Sequence, residues 1–177
     1  MKSLKERKMS CKCSKCIVAC WQNPGWFGSI KEVEGAAELL NLSIEQFAEK
    51  YLIQEWWISK NKDILIPASR RDFSRMDDIQ KKVFKEFPTL DETWKRERTI
   101  NGKGFIVASW GHNLMSGYAC IFLTKDNNCL IHESKPMECR ELLACKKIRL
   151  DRKNLLPYWR RHQNWFDEIS NKINNCK

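Results

Sequence analysis

The sequence predicts an α+β fold, with short helices around a small antiparallel β-hairpin in one cysteine-rich, metal-centred domain over residues 1–177. Three observations predict it. Apolar residues recur at helical spacing in four separate stretches. Short β-branched or aromatic runs lie between them: DILIPA, GFIVASW and ACIFL. Eight of the nine cysteines fall into two groups, at 11–20 and 120–145, with about a hundred residues and no cysteine between them.

The elements follow in order. After the cysteine run CKCSKCIVAC, the stretch NPGWFG reads as a Pro-Gly turn. SIKEVEGAAELLNL then places Ile30, Val33, Ala37 and Leu40 at helical spacing. Ser43 with Gln46 three residues later is a capping-box pattern, and it opens a second helix whose face carries Phe47 and Tyr51 and runs towards Trp56 and Trp57. DILIPA is a short strand that Pro67 confines to an edge. RMDDIQKKVFKEF repeats Met76, Ile79, Val83 and Phe87 as a helix that ends at Pro88. GFIVASW and ACIFL read as strands, and KDNN before CLIHE as a hairpin turn, so that Cys120 and Cys129 fall on the two arms of one hairpin. Pro136 suits the first turn of a short helix, with Cys139 and Cys145 on or just beyond it. A last basic helix, about 155–174, has Trp159, His162, Phe166, Ile169 and Ile173 on one face.

The totals bound the function. The chain of 177 residues, 42% apolar with eight tryptophans, can build a hydrophobic core of its own. The opening MKSLKERKMS has basic residues but no apolar stretch behind them, and runs such as YACIFL are far too short to span a bilayer. The expectation is a soluble cytoplasmic protein with no membrane association. The net charge is +10, and the seven basic residues between 146 and 161 outnumber Asp151 to leave +6 there. Such a patch could meet nucleic acid or an acidic protein, but such runs are usually solvated helix faces; nucleic acid is not the expected partner, and a redox or modified partner protein is.

In the cytosol thiols stay reduced, which turns nine cysteines away from a disulfide framework and towards metal ligation. Cys13, Cys16 and Cys20 read C-x-x-C-x-x-x-C, three sulfurs that one short loop can aim at one centre; Cys11 is the nearest candidate fourth. Cys120, Cys129, Cys139 and Cys145 have wider gaps and depend on tertiary structure to converge. Eight thiolates suit one or two four-ligand centres, either an iron–sulfur cluster, expected as the four-iron, four-sulfur (4Fe-4S) type, or zinc. The irregular three-plus-one spacing and the proline in KPMEC favour the cluster, whereas zinc is usually held by paired C-x-x-C knuckles, of which the chain has one. His132, three residues after Cys129, is a candidate ligand or sulfur partner, with a core-edge histidine the plainer reading. His112, His162 and Cys176 are left outside the site.

CSKCIVAC followed by NPGWF, then EVEGAAELLNLSIEQFAEKYL, GYACIFL and CLIHESKPMECREL, resembles in order the pattern of the YkgJ-like cysteine-cluster family, described as zinc- or iron-chelating domains. The resemblance runs from about Cys11 to Cys145. It implies that Cys13, Cys16, Cys20, Cys120, Cys129 and Cys139 occupy metal-binding positions, with Cys145 another. Many members carry adjacent paired cysteines where this chain has Ala19-Cys20, and Cys11 is the residue available to replace the missing thiol. The functional expectation is a metal-binding protein whose cluster serves electron transfer or the redox chemistry of a partner protein. A zinc-stabilised binding module is the alternative. A further alternative, also drawn from relatives, is an S-adenosylmethionine-dependent protein lysine methyltransferase or another cluster-dependent enzyme, although the chain shows no glycine-rich loop after a strand.

Overall fold

A computed structural model describes residues 20–21, 25–57, 64–86, 106–108, 118–142 and 152–175. It is an α+β structure. Helices α1 (Ile30–Leu39) and α2 (Ile44–Tyr51) lead into strands β1 (Leu52–Trp57), β2 (Ile64–Ser69) and β3 (Arg71–Met76). Helix α3 (Asp78–Glu86), strands β4 (Ile106–Ala108) and β5 (Tyr118–Cys120), a 3-10 turn (His132–Ser134), and helices α4 (Met137–Leu142), α5 (Arg152–Arg161) and α6 (Asn164–Asn175) complete it. Among the described residues no helix is long and apolar enough to cross a membrane.

Local chemistry accounts for the helices. Ser29 caps α1 by accepting from the amide of Glu32, and Ser43 with Gln46 forms the full reciprocal capping box of α2. Val33, Ala36 and Ala37 of α1, with Phe47 and Ala48 of α2, turn into the core. There Phe47 meets Phe27 edge-on at 6.1 Å and stacks on Phe122 at 5.8 Å, with Tyr51 5.1 Å from Phe122. Trp159 and Phe166, 5.5 Å apart, close the core from the C-terminal side, and the Trp159 indole donates to the Phe27 carbonyl at 2.7 Å.

The sheets differ from the predicted single antiparallel hairpin. One sheet is mixed, in the order β2-β1-β4, with β1 antiparallel to β2 and parallel to β4; the other pairs β3 with β5 antiparallel. The second helix does not run on to Trp56 and Trp57. It ends at Tyr51, and the β-favouring run from Leu52 continues as β1 against β2. Nor do the arms around KDNN pair as a ladder: the turn forms, Thr124 donating to the Asn128 carbonyl at 2.8 Å and Leu130 to the Phe122 carbonyl at 2.9 Å, but among the described residues the arms make one isolated bridge, Leu123 to Cys129, while β5 pairs with β3. Met76 belongs to β3, and Ile79 of α3 is 75% exposed, so the expected apolar face of that helix does not include it. The last helix is two. It breaks at His162 and Gln163, where the Gln163 amide donates to the carbonyls of Trp159 at 2.7 Å and Leu65 at 3.0 Å, while the Leu65 amide donates back to it at 2.9 Å.

β2 is the edge that Pro67 predicted, and its outer side is not bare. Trp26 bridges Ala68, Phe27 donates to the Pro67 carbonyl at 2.9 Å, and Ser69 donates to the Gly25 carbonyl at 3.2 Å. This lays residues 25–27 along the end of β2 and brings Gly25 beside Ser69.

Candidate functional site

Strand β3 organises the site. Its register places Arg71 directly opposite Cys120 of β5, so the two side chains share one sheet face. Arg71 Nη1 donates to the carbonyl of Tyr118 at 3.3 Å and to that of Cys20 at 2.9 Å, tying the first cysteine group to the second. Four residues on, Arg75 repeats the link: its guanidinium lies 5.4 Å from the Trp21 ring and donates to the carbonyls of Leu123 and Thr124 in the turn that carries Cys129. Cys120 itself is buried and donates to the hydroxyl of fully buried Ser69 at 3.5 Å.

Cys139 arrives on α4, which is fastened from its first turn. Glu138 is buried; it accepts from the Trp26 amide at 3.2 Å and its own amide donates to the Trp26 carbonyl at 3.2 Å. Glu32 of α1 accepts from the amides of Gly28 at 2.7 Å and Met137 at 3.0 Å, and pairs with Arg140. The close approach requires a glycine: Gly25 has φ 71°, and a Cβ there would stand 2.8 Å from Ser69 Oγ and 2.9 Å from Cys139 Sγ. Ser69 and Cys139 therefore meet over the backbone of Gly25.

The four thiols lie within electrostatic reach of one another. Burial, then Cys120 and Cys129, push the Cys20 thiol up to about 12. Burial and then Cys120 push Cys129 up to about 11. Cys139 is raised well above the ordinary thiol value, first by burial and then by Cys120, Cys20 and Cys129. Burial presses Arg71 down, while Cys120, Cys139 and Cys20, followed by Glu138, oppose that shift. Protonated, these are inert buried thiols; a bound cation that displaces their protons converts them into ligands.

Of the expected ligands, Cys20, Cys120, Cys129 and Cys139 are thus brought together, one from the first group and three from the second. Cys11, Cys13, Cys16 and Cys145 lie outside the described residues, as do Cys176 and His112. Among the described residues no three His, Cys, Asp or Glu side chains close on one point as ligands of a single ion would. The soft donors fit a thiolate-held metal group in chemistry, and so does Arg71, whose Nε and Nη2 have no hydrogen-bond partner among the described residues. His132 sits on the 3-10 turn with its Nδ1 buried and unpartnered there, and burial followed by Lys135 lowers its pKa. His162 stacks on Tyr158 at 4.2 Å, away from the thiols' partners.

Sequence reasoning missed Arg71, Arg75, Ser69, Gly25 and the Glu32–Arg140 pair. The two arginines left a signal, spaced four apart in RRDFSRM and so on one face of a strand, but only a strand assignment reveals it. No protein-family model, no curated protein and no solved structure matches the chain.

Proposed function

We propose that this chain is a cysteine-ligated metal-binding protein of the cytoplasm, holding an iron–sulfur cluster for electron transfer or for the redox chemistry of a partner protein. One observation carries the reading: Cys20, Cys120 and Cys139, a hundred residues apart in sequence, all bear on the buried guanidinium of Arg71, and Cys129 lies within electrostatic reach of the same thiols. Structural cysteines have no need of a common neighbourhood, and thiols that gather in a reducing compartment are best explained by a shared ligand. Cys11, Cys13 and Cys16, just before Cys20 in the sequence, are the further donors the sequence offers. The YkgJ-like resemblance supports the same reading and names the same cysteines. Irregular spacing and the proline three residues before Cys139 favour a cluster over zinc.

The protein's own residues hold and orient this site: the Ser69 hydroxyl, which accepts from the Cys120 thiol in the metal-free protein, would donate to it as a thiolate, Gly25 admits Cys139, and the arginines of β3 fix the segment bearing Cys20 against the turn bearing Cys129. The cluster, when bound, supplies one-electron chemistry. Anaerobic purification followed by iron, acid-labile sulfide and zinc assays tests the reading, with iron and sulfide expected in equal amounts. Stoichiometric zinc without sulfide would replace it with the zinc-stabilised binding module, whose basic surface includes the exposed Arg160 and Arg161. Protein that takes up neither metal refutes both.

A further inference from the structure

Arg71 is 3% exposed, and among the described residues only Nη1 of its guanidinium is engaged, by two backbone carbonyls. The remaining Nε and Nη2 form the side-on edge of the planar fork, the edge that grips two acceptor atoms at once, and it has no partner among the described residues. A buried cation with the donors of two of its three nitrogens idle is expensive unless something anionic meets them. Three thiols and one carboxylate bear on it. Cys120 faces it across the β3–β5 ladder, Cys20 holds its other edge through the carbonyl, and Cys139 shares Gly25 and Ser69 with Cys120. Glu138 also bears on it, as the weakest of the four charges named, and is already engaged by the Trp26 amide.

We propose that Arg71 is the fixed counter-charge of the site, its Nε and Nη2 hydrogens donating to sulfur atoms of the thiolate-held group. The inference rests on the metal-binding reading and adds the residue that balances the charge of the ligands. A guanidinium suits the role where lysine does not: it stays protonated beside thiolates, and its two parallel donors fix the direction of the sulfurs as well as their charge. Arg71 is a positioning residue, acting through the ligands. Its positive charge favours the more negative, reduced state of a cluster, so its loss lowers the reduction potential.

The test compares wild type, Arg71→Lys and Arg71→Met, each purified anaerobically and reconstituted either with ferrous iron and sulfide or with Zn²⁺ alone. Metal per wild-type chain decides the underlying reading by itself; wild type that binds neither overturns it and the role of Arg71 together. With metal bound, Arg71→Met is expected to lose it to a chelator about ten-fold faster or more, and its iron form to have a lower reduction potential. Arg71→Lys, which keeps charge but loses the two-donor edge, is expected to fall between, and it decides the matter if the methionine variant does not fold. Variants that release metal at the wild-type rate, with unchanged potential and only a lower thermal midpoint of the metal-free protein, overturn the proposal and leave the metal-binding reading standing.

Discussion

Replacing Gly25 with alanine is the sharpest perturbation the structure offers, because one methyl group meets both halves of the site. The backbone at φ 71° charges an L-residue about 1–2 kcal/mol. The new Cβ would lie 2.8 Å from the oxygen of fully buried Ser69, 2.9 Å from the sulfur of Cys139 and 3.4 Å from Cγ of Pro136. The first two contacts are too short to keep, and forcing extra volume into a packed site costs about 1–3 kcal/mol more. The total, about 2–5 kcal/mol, is a large share of the 5–15 kcal/mol typical of a folded domain. Urea denaturation of the metal-free protein should show the midpoint falling by about 1 M or more, and the metal content of the loaded protein should fall with it, since Cys139 is what moves. Gly35→Ala is the control of opposite sign. It lies inside α1, where a Cβ meets only Ser134, at 3.5 Å, so relief of the helical glycine penalty should stabilise by about 0.5–1 kcal/mol. A Gly25→Ala protein within about 0.5 kcal/mol of wild type, with its metal retained, would refute the reasoning.

Three further outcomes follow from the same structure. Ser43→Ala removes the hydroxyl half of the capping box of α2 and should cost about 0.5–2 kcal/mol, read from the denaturation midpoint, with metal content unchanged. Glu32→Gln takes away the carboxylate that accepts from the amides of Gly28 and Met137 and pairs with Arg140; a loss of about 1–3 kcal/mol is expected, together with faster alkylation of Cys139 as α4 loosens. The metal-free protein should also weaken in alkali. Folded Cys20 and Cys129 hold their protons up to about 12 and about 11, whereas the unfolded thiols ionise near 9.0, so the unfolded chain binds fewer protons above pH 9. Stability is therefore full below pH 9 and falls as pH climbs towards 11, by at most about 1.4 kcal/mol per pH unit for each thiol. Denaturation midpoints at pH 8, 9 and 10 check the sign, and a Cys20→Ala, Cys129→Ala variant should flatten the slope.

What the sequence disclosed was mostly local. Ser43 with Gln46, Pro136 ahead of α4, and Pro67 in an edge strand each rest on the local chemistry of one residue or of near neighbours, which a linear pattern records. The cysteine grouping was legible as a pattern, and among the described residues Cys20, Cys120, Cys129 and Cys139 lie within electrostatic reach of one another. The missed features depend on distant partners. β3 was hidden because its arginines look like helix or loop material until Tyr118–Cys120 pairs with them, and β1 because Leu52–Trp57 continues a helical-looking stretch until β2 and β4 flank it. The break between α5 and α6 is set by Gln163 reaching back to Leu65, a bond across 98 residues. The closeness of Gly25 to Cys139 is a tertiary fact that the reading of NPGWFG as a Pro-Gly turn does not contain.

The span of these contacts also sets a timetable for biosynthesis. Arg71 joins the Cys20 carbonyl 51 residues behind it to Tyr118, 47 residues ahead, and Glu138 binds the Trp26 amide across 112 residues. Cys139 leaves the ribosome 119 residues after Cys20. At about 5–20 residues per second, the earliest thiols wait roughly 6–24 s before the last member of their neighbourhood has even been made. During that interval the nascent chain presents unsheltered cysteines to every oxidant and stray metal in the cell. Assembly of the site is consequently a closing event of folding, and overexpression that outruns it should yield misoxidised chains rather than slowly maturing ones.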